Sequence, residues 1–385
     1  MKKVIRNARV ITTKEVTQPS TVWIRNGQIE KIDSQDNLRI PEDYQSIDAQ
    51  GQLLMPGMID VHIHGANGFD MMDGTSESIL EVSKTLAKTG CTSFLVTSVT
   101  SSTEDLMQMI HRVKQVIGKE PGAKIQGIHL EGPYLNVKRK GMQNALYLRH
   151  PNLEEMKEIL KEAGSLIKMV TIAPELPGGM EMVEFLKEKG IIVSIAHSDA
   201  TYEEAKDAFS KGASHVTHCF NGMRPIHHRD PGVVVAAFEE SHVSLQAIVD
   251  HVHLHPAIVR LMYRIKGAEG VVLITDALQA MYMGDGKYEF GGHQVIVSDG
   301  QARLADGTLA SSTVTMNEAL RKTVDSGIPL VDAVYMASTA PANILGLQNK
   351  GRIEPEADAD LVLVDSEFNV LWTMIGGHIN HGCQP

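Results

Sequence analysis

From residue 58 onward, short apolar runs alternate with segments of helical periodicity. That alternation restricts the chain to folds in which parallel strands are joined by crossover helices. The runs lie at 58–64 (MIDVHIH), 92–98 (TSFLVTS), 125–131 (IQGIHLE), 167–173 (IKMVTIA), 191–197 (IIVSIAH), 214–219 (SHVTHC), 244–250 (SLQAIVD) and 270–275 (GVVLIT), eight in all. Between the first two, SESILEVSKTLAKTG has a start signal at Ser76, places Ile79, Val82 and Leu86 on one face, and stops at Gly90. STEDLMQMIHRVKQVIG, NLEEMKEILKEAG and TYEEAKDAFSKG repeat the pattern. Eight such units predict an α/β fold, a (β/α)8 barrel of TIM type, whose active site is built at the C-terminal ends of its strands.

The two ends of the chain read differently. Residues 1–55 are short strands with an Asn26-Gly27 hairpin signal, and after helices at about 313–326 and 330–345 the segment GRIEPEADADLVLVDSEFNVLWTMIGGHI returns to strand-like alternation. Residues 1–55 and 348–385 are therefore expected to form one small β-sandwich domain beside a catalytic barrel at 56–347. MGDGKYEFGGH, at 283–293, is Gly-rich but neither directly follows a strand nor opens a helix, so it reads as a hairpin in an insertion rather than a phosphate loop.

Bulk properties exclude several function classes. A chain of 385 residues can bury one large core and an accessory unit. Its formal charge of −11 disfavours nucleic acid and acidic membranes as partners. No apolar run approaches the roughly 20 residues that span a bilayer, and MKKVIRNARVITT lacks the apolar core of a secretory signal; a cytoplasmic location is expected. Cys91, Cys219 and Cys383 are odd in number and far apart, which predicts reduced thiols and no cysteine-based zinc site.

The chemistry is expected where the strands end. His62 and His64 are two residues apart on one strand, so both project to the same face about 6.6 Å apart, inside the barrel near its mouth. Strand 3 ends at Glu131, strand 5 at His197 and strand 6 near His218, and strand 8 delivers Asp276. Imidazole and carboxylate without cysteine are the donors of a catalytic site for zinc, iron or manganese, with cobalt a further candidate. Without a metal, Glu131 and Asp276 would be buried charges in apolar strands with no countercharge, which is costly.

With those residues in place, the chain resembles the amidohydrolase superfamily, and within it the deacetylases of N-acetylglucosamine 6-phosphate. The resemblance rests on MPGMIDVHIHG, GIHLEGPYLN, IAHSDATYEEA, HVTHCFNGMRP, IVDHVHLHP, LITDAL and GRIEPEADADLVLVD, and covers nearly the whole chain. It implies that Glu131, His197 and His218 hold one divalent metal and that His62 and His64 can hold a second, with Glu131 as a bridge, giving one or two metals per subunit. It also implies that Asp276 is general base and then general acid, and that His253 stabilises the oxyanion; spacing alone does not choose among His251, His253 and His255. Substrate contacts are implied at Met142, Gln143, Asn221, Gly222, His253, Leu309, Ala310 and Ser311. Arg229 is implied for the phosphate, with Arg224, His227, His228 and the run at 138–140 adding positive potential. The substrate is then a phosphorylated amino sugar and the assembly a homodimer, with a partner loop at the phosphate end.

KGMQNA stands where many relatives read Gly-Ala-His-Asn-Pro, so Gln143 replaces a histidine. Strand 4 offers only Lys168, at its beginning, in place of the carboxylated lysine of other amidohydrolases, which points away from the dihydroorotase type. A cyclic-amide hydrolase of the dihydroorotase or allantoinase type and a barrel scaffold without catalysis are the alternatives.

Overall fold

The computed structural model of the chain describes residues 1–34 and 39–382; Cys383 lies outside them. Eight parallel strands form one sheet in sequential order: β1 (Met58–Ile63), β2 (Cys91–Thr97), β3 (Lys124–Glu131), β4 (Ile167–Ile172), β5 (Ile192–Ile195), β6 (His215–Val216), β7 (Ser244–Ile248) and β8 (Val271–Ile274). Each expected apolar run coincides with one of them, β2 and β3 starting one residue earlier than expected. β8 returns beside β1, where Asp276 N donates to His62 O (2.9 Å) and His64 N to Ala277 O (2.9 Å). Across the same seam Thr275 Oγ1 donates to Asp60 Oδ2 at 2.5 Å. Burial pushes the Asp60 carboxyl up to about 7, against the hydrogen bonds from Thr275 and His62 that hold it down.

The crossover helices are α1 (Ser76–Lys88), α2 (Thr103–Val116), α3 (Leu153–Ala163), α4 (Gly179–Glu188), α5 (Tyr202–Lys211), α6 (Gly232–Glu239), α7 (Pro256–Lys266) and α8 (Met316–Asp325). Helix α1 buries Ile79, Val82 and Leu86 as its spacing requires, but its cap is Thr75, one residue before the expected start: the Thr75 hydroxyl accepts from Ser78 N. Thr201 and Glu204 cap α5 reciprocally. The helix expected at 330–345 is two, Leu330–Ala337 and Thr339–Ile344, broken at Ser338, whose φ of −134° is not helical.

The barrel interior carries a ladder of polar contacts beneath the mouth. His129 Nε2 meets Thr171 Oγ1 at 2.7 Å, Thr171 Oγ1 meets Thr217 Oγ1 at 2.7 Å, and Thr217 meets Ser194 Oγ at 2.5 Å. Bonds between strands that are not neighbours, such as β4 to the end of β6, are possible only across the inside of a closed sheet. Burial holds the His129 imidazole well below its usual range, so it stays neutral there and adds no cation under the site.

Both chain ends join in a second eight-stranded sheet, with residues 2–33 and 45–56 supplying five strands and residues 361–382 three. The Asn26-Gly27 turn, with φ of 54° and 83°, links Val16–Arg25 to Gln28–Asp33 as the sequence predicts. Ile5, Val22, Leu54, Leu363 and Trp372 pack in its core. After β8, Gly286–Phe290 and His293–Ser298 pair as the expected hairpin through Gly291 and Gly292, and Gln301–Arg303 adds a third strand. This small sheet rests on Val99, Met142, Leu278 and Ala310 beside the barrel mouth. No helix among the described residues is long and apolar enough to cross a membrane.

Candidate metal centre

The C-terminal strand ends bring six donors together in two groups. Glu131, His197 and His218 form one, and His62, His64 and Asp276 the other; within each group the donor atoms lie within 4.8 Å of one another, and all six residues are buried. In the first, Glu131 Oε1 is 2.9 Å from His218 Nε2 and 3.3 Å from His197 Nε2, and the two imidazole nitrogens are 3.1 Å apart. In the second, His64 Nε2 is 3.1 Å from Asp276 Oδ1 and 3.1 Å from His62 Nε2. Glu131 spans both groups, for its Oε2 is 3.5 Å from His64 Nε2 and 3.8 Å from His62 Nε2.

The backbone is strained at these donors. His197, His218 and Asp276 have φ of 45°, 28° and 47°, and Ser311, whose hydroxyl donates to Asp276 Oδ1 at 3.1 Å, has 65°. A non-glycine residue there costs of order 1–3 kcal/mol and persists only where the surroundings over-determine it. His197, His218 and Asp276 each lie two residues past the end of β5, β6 and β8, so the left-handed residue falls where the chain leaves the sheet. Glycine clears the space behind: a Cβ on Gly222 would lie 2.8 Å from His197 Nδ1.

Outer contacts orient the rings. His197 Nδ1 donates to Arg139 O (2.9 Å) and His218 Nδ1 to Asn221 O (3.2 Å), which fixes their tautomers and leaves each Nε2 as the ligand atom. Gln246 Oε1 meets His62 Nδ1 at 3.0 Å and also accepts from His218 N. His64 Nδ1 is buried without a partner.

The donor set fits a divalent metal. Facing Nε2 lone pairs at 3.1 Å need a proton or a cation between them, and the carboxylates of Glu131 and Asp276 need a countercharge. Burial drives His62 down to about 4, whereas at His64 the hydrogen bond to Asp276 and the charge of Glu131 outweigh burial and push it up to about 9. Burial would likewise raise Glu131 and Asp276, but the surrounding imidazoles hold both below the usual carboxylate range.

A cavity of about 190 Å³ opens onto both groups, lined by His64, Glu131, His197, His218 and Asp276 and, above them, by Gly141, Met142, Gln143, Asn221, Gly222, His253, Thr308, Leu309 and Ser311. Most of the residues expected at the site thus converge. Ala310 is buried in the core of the small sheet and its N donates to Ala302 O, so it does not line the cavity. Arg229 is exposed on the loop after β6, where its Nη1 donates to His228 Nε2 at 2.7 Å, also outside the lining. The other cations near the mouth are engaged: Arg139, Arg224 and Lys138 all contact Asp199. Of the three histidines after β7, His253 is the one at the cavity; His251 turns to Lys322 O and Ser326 Oγ, and His255 caps α7.

Gly141, Thr308, Gln246 and Asp250 are site residues that the sequence reading missed. Gln246 is a polar residue inside the apolar run SLQAIVD, a position that demands a buried partner, and that was its available signal. Asp250 Oδ2 accepts from His253 Nδ1 at 2.6 Å and Oδ1 from His253 N and Val252 N, and its place three residues before His253 was the available signal. Thr308 and Gly141 sit on loops whose docking has no local signature.

Comparison with known proteins agrees with this arrangement. Residues 53–379 match the amidohydrolase family. The N-acetylglucosamine-6-phosphate deacetylase of Lysinibacillus sphaericus is 38% identical over 98% of this chain and 97% of its own length. The N-acetylgalactosamine-6-phosphate deacetylase of Escherichia coli O157:H7 is 33% identical over 98% of this chain and 99% of its own. Among solved structures, a variant of N-acetyl-D-glucosamine-6-phosphate deacetylase from Mycobacterium smegmatis in complex with N-acetyl-D-glucosamine-6-phosphate superposes with a TM-score of 0.92 at 32% identity, covering 98% of this chain and 99% of that one. With strand-end donors, barrel and full-length similarity in agreement, this chain belongs to the amidohydrolase family.

Proposed function

We propose that the chain hydrolyses the N-acetyl group of N-acetyl-D-glucosamine 6-phosphate to D-glucosamine 6-phosphate and acetate, as part of amino-sugar metabolism. The observation that carries this reading is the convergence of two three-donor groups, one of them including Asp276, at one cavity in a chain similar over nearly its full length to deacetylases of that substrate. Glu131, His197 and His218 hold one metal and His62, His64 and Asp276 a second, zinc or iron being best suited to an imidazole-rich set. A divalent metal bound there supplies Lewis acidity to the amide carbonyl and lowers the pKa of water.

The side chains do the rest. Asp276, oriented by the Ser311 hydroxyl, takes the proton from the attacking water as the new carbon–oxygen bond forms. It then returns that proton to the sugar nitrogen as the carbon–nitrogen bond breaks, leaving acetate and an amine. Asp250 accepts the Nδ1–H of His253 and fixes its ring, so Nε2 faces the cavity; with both ring nitrogens protonated, that Nε2–H donates to the carbonyl oxygen as charge develops on it. Asn221, Gly222, Met142, Leu309 and Ser311 contact the sugar and its acetyl end from the cavity wall.

Arg229 serves the phosphate across a homodimer interface, entering the partner's cavity. Its exposure and its lack of a carboxylate partner among the described residues support this, as do Val137, Leu146 and Ile226, which expose 61%, 86% and 45% of their surface on the segments flanking the mouth. The location is cytoplasmic. The cyclic-amide alternative is not favoured: Lys168 lies at the start of β4, in a groove at the opposite end of the barrel with Lys161, Phe185 and Lys189.

Acetate release from N-acetylglucosamine 6-phosphate, its galactosamine isomer, the unphosphorylated sugar, dihydroorotate and allantoin tests the reading. The first should be turned over best, and no acetate from it would refute the proposal. In the same assay Arg229→Ala should raise KM about tenfold, the worth of one charged hydrogen bond, with kcat little changed; equal activity of the parent enzyme on the unphosphorylated sugar would remove the phosphate assignment.

A further inference from the structure

Gln143 is buried at the cavity wall, and both ends of its side-chain amide are committed. Its Oε1 accepts from Thr100 N at 2.8 Å, and its Nε2 donates to Glu131 Oε2 at 2.7 Å. The orientation is not open to reversal, because a backbone N–H can only donate: the atom facing Thr100 must be the oxygen, which leaves Nε2 against the carboxylate. Thr100 lies on the loop after β2, and Gln143 on the loop after β3, so one side chain ties two loops to the carboxylate shared by the two donor groups.

The consequence is geometric. A carboxylate at a strand end can rotate about its last bond, and only one rotation points Oε1 at His197 and His218 while keeping Oε2 near His62 and His64. The Gln143 N–H occupies one lone pair of Oε2 and selects that rotation. We propose that Gln143 is a positioning residue of the metal centre, acting on the metals through Glu131, and that its side chain does not read the sugar. This rests on the metal-dependent reading of the site given above.

The test compares Gln143→Met, which keeps length and volume but neither donates nor accepts as an amide does, with Gln143→His, whose neutral ring can do both. Each full-length protein is stripped with chelator and titrated with Zn²⁺ against a chromogenic competitor, and metal-free thermal unfolding is recorded alongside. For Gln143→Met, zinc affinity should fall about 10- to 100-fold, the usual effect of losing a hydrogen bond to a ligand. KM for N-acetylglucosamine 6-phosphate at saturating zinc should stay within about twofold, and Gln143→His should recover most of the affinity. Unchanged zinc affinity with a KM raised about tenfold would overturn the proposal in favour of a sugar contact. If the metal-free Met variant unfolds, Gln143→Asn, whose amide is one methylene too short to reach both Thr100 N and Glu131 Oε2, takes its place: weakened zinc binding with KM unchanged supports positioning, and parent affinity with a raised KM overturns it. A parent protein that binds zinc but releases no acetate would refute the deacetylase reading and leave this inference standing.

Discussion

The two donor groups at the barrel mouth are built from similar residues but are held to different degrees. In the Glu131, His197 and His218 group both rings have Nδ1 tied to a backbone carbonyl, those of Arg139 and Asn221. In the His62, His64 and Asp276 group only His62 is tied, through the side chain of Gln246, and His64 Nδ1 has no partner. A ring already fixed by its outer nitrogen loses less freedom when its inner nitrogen binds, and is the better base for it. On the proposed function the first group would be the tighter metal site and the second the optional one, although the second would share the Glu131 carboxylate and lend Asp276 to the chemistry.

The largest expected effect separates these two uses of Asp276. Asp276→Asn should lower turnover about 100- to 10,000-fold, the range for loss of a general acid–base, while metal content at the first group stays at one equivalent. Loss of all metal in that variant would make Asp276 structural. Next, His197→Ala should weaken the tighter zinc site about 10- to 100-fold or more and with it most activity, whereas His64→Ala should remove no more than the weaker equivalent and leave measurable turnover. Equal losses from the two substitutions, by metal analysis, would erase the distinction between the groups.

The smallest effect concerns a fourth held ring, His253. Burial would raise the Asp250 carboxyl, but its bonds to His253 hold it below the ordinary value, so the pair stabilises the fold above about pH 4 and that contribution is lost as pH falls through the depressed folded value. Asp250→Asn should thus unfold at about 1.5–3 kcal/mol lower stability at pH 7, with the gap to the parent closing as the pH drops below about 4. A gap that is constant with pH in denaturant titrations would mean that the carboxylate charge has no part in holding His253.

The same contrast runs through what the sequence reveals. Strands buried on both faces read as continuous apolar runs, so all eight barrel strands are legible, and a His, Glu or Asp closing such a run stands out because its burial needs compensation. Even the Asn26-Gly27 turn is written locally. Loop geometry is not: Arg229 carries the charge that a phosphate needs, yet nothing in HHRDPG says that it stays outside its own chain's cavity. Nor does KGMQNA say that Gln143 meets Thr100, more than 40 residues earlier, since that contact exists only once β2 and β3 are side by side. The positive φ values at His197, His218 and Asp276 are equally silent, because residues with ordinary preferences are being forced by the barrel around them.

The order of the two sites is tested most directly by returning zinc stepwise to the stripped protein and measuring bound metal and acetate release at each addition, for the parent, His197→Ala and His64→Ala. Two binding steps of unequal affinity are predicted in the parent, with the tighter one absent from His197→Ala and present in His64→Ala. A tighter step that survives in His197→Ala and vanishes in His64→Ala would contradict it.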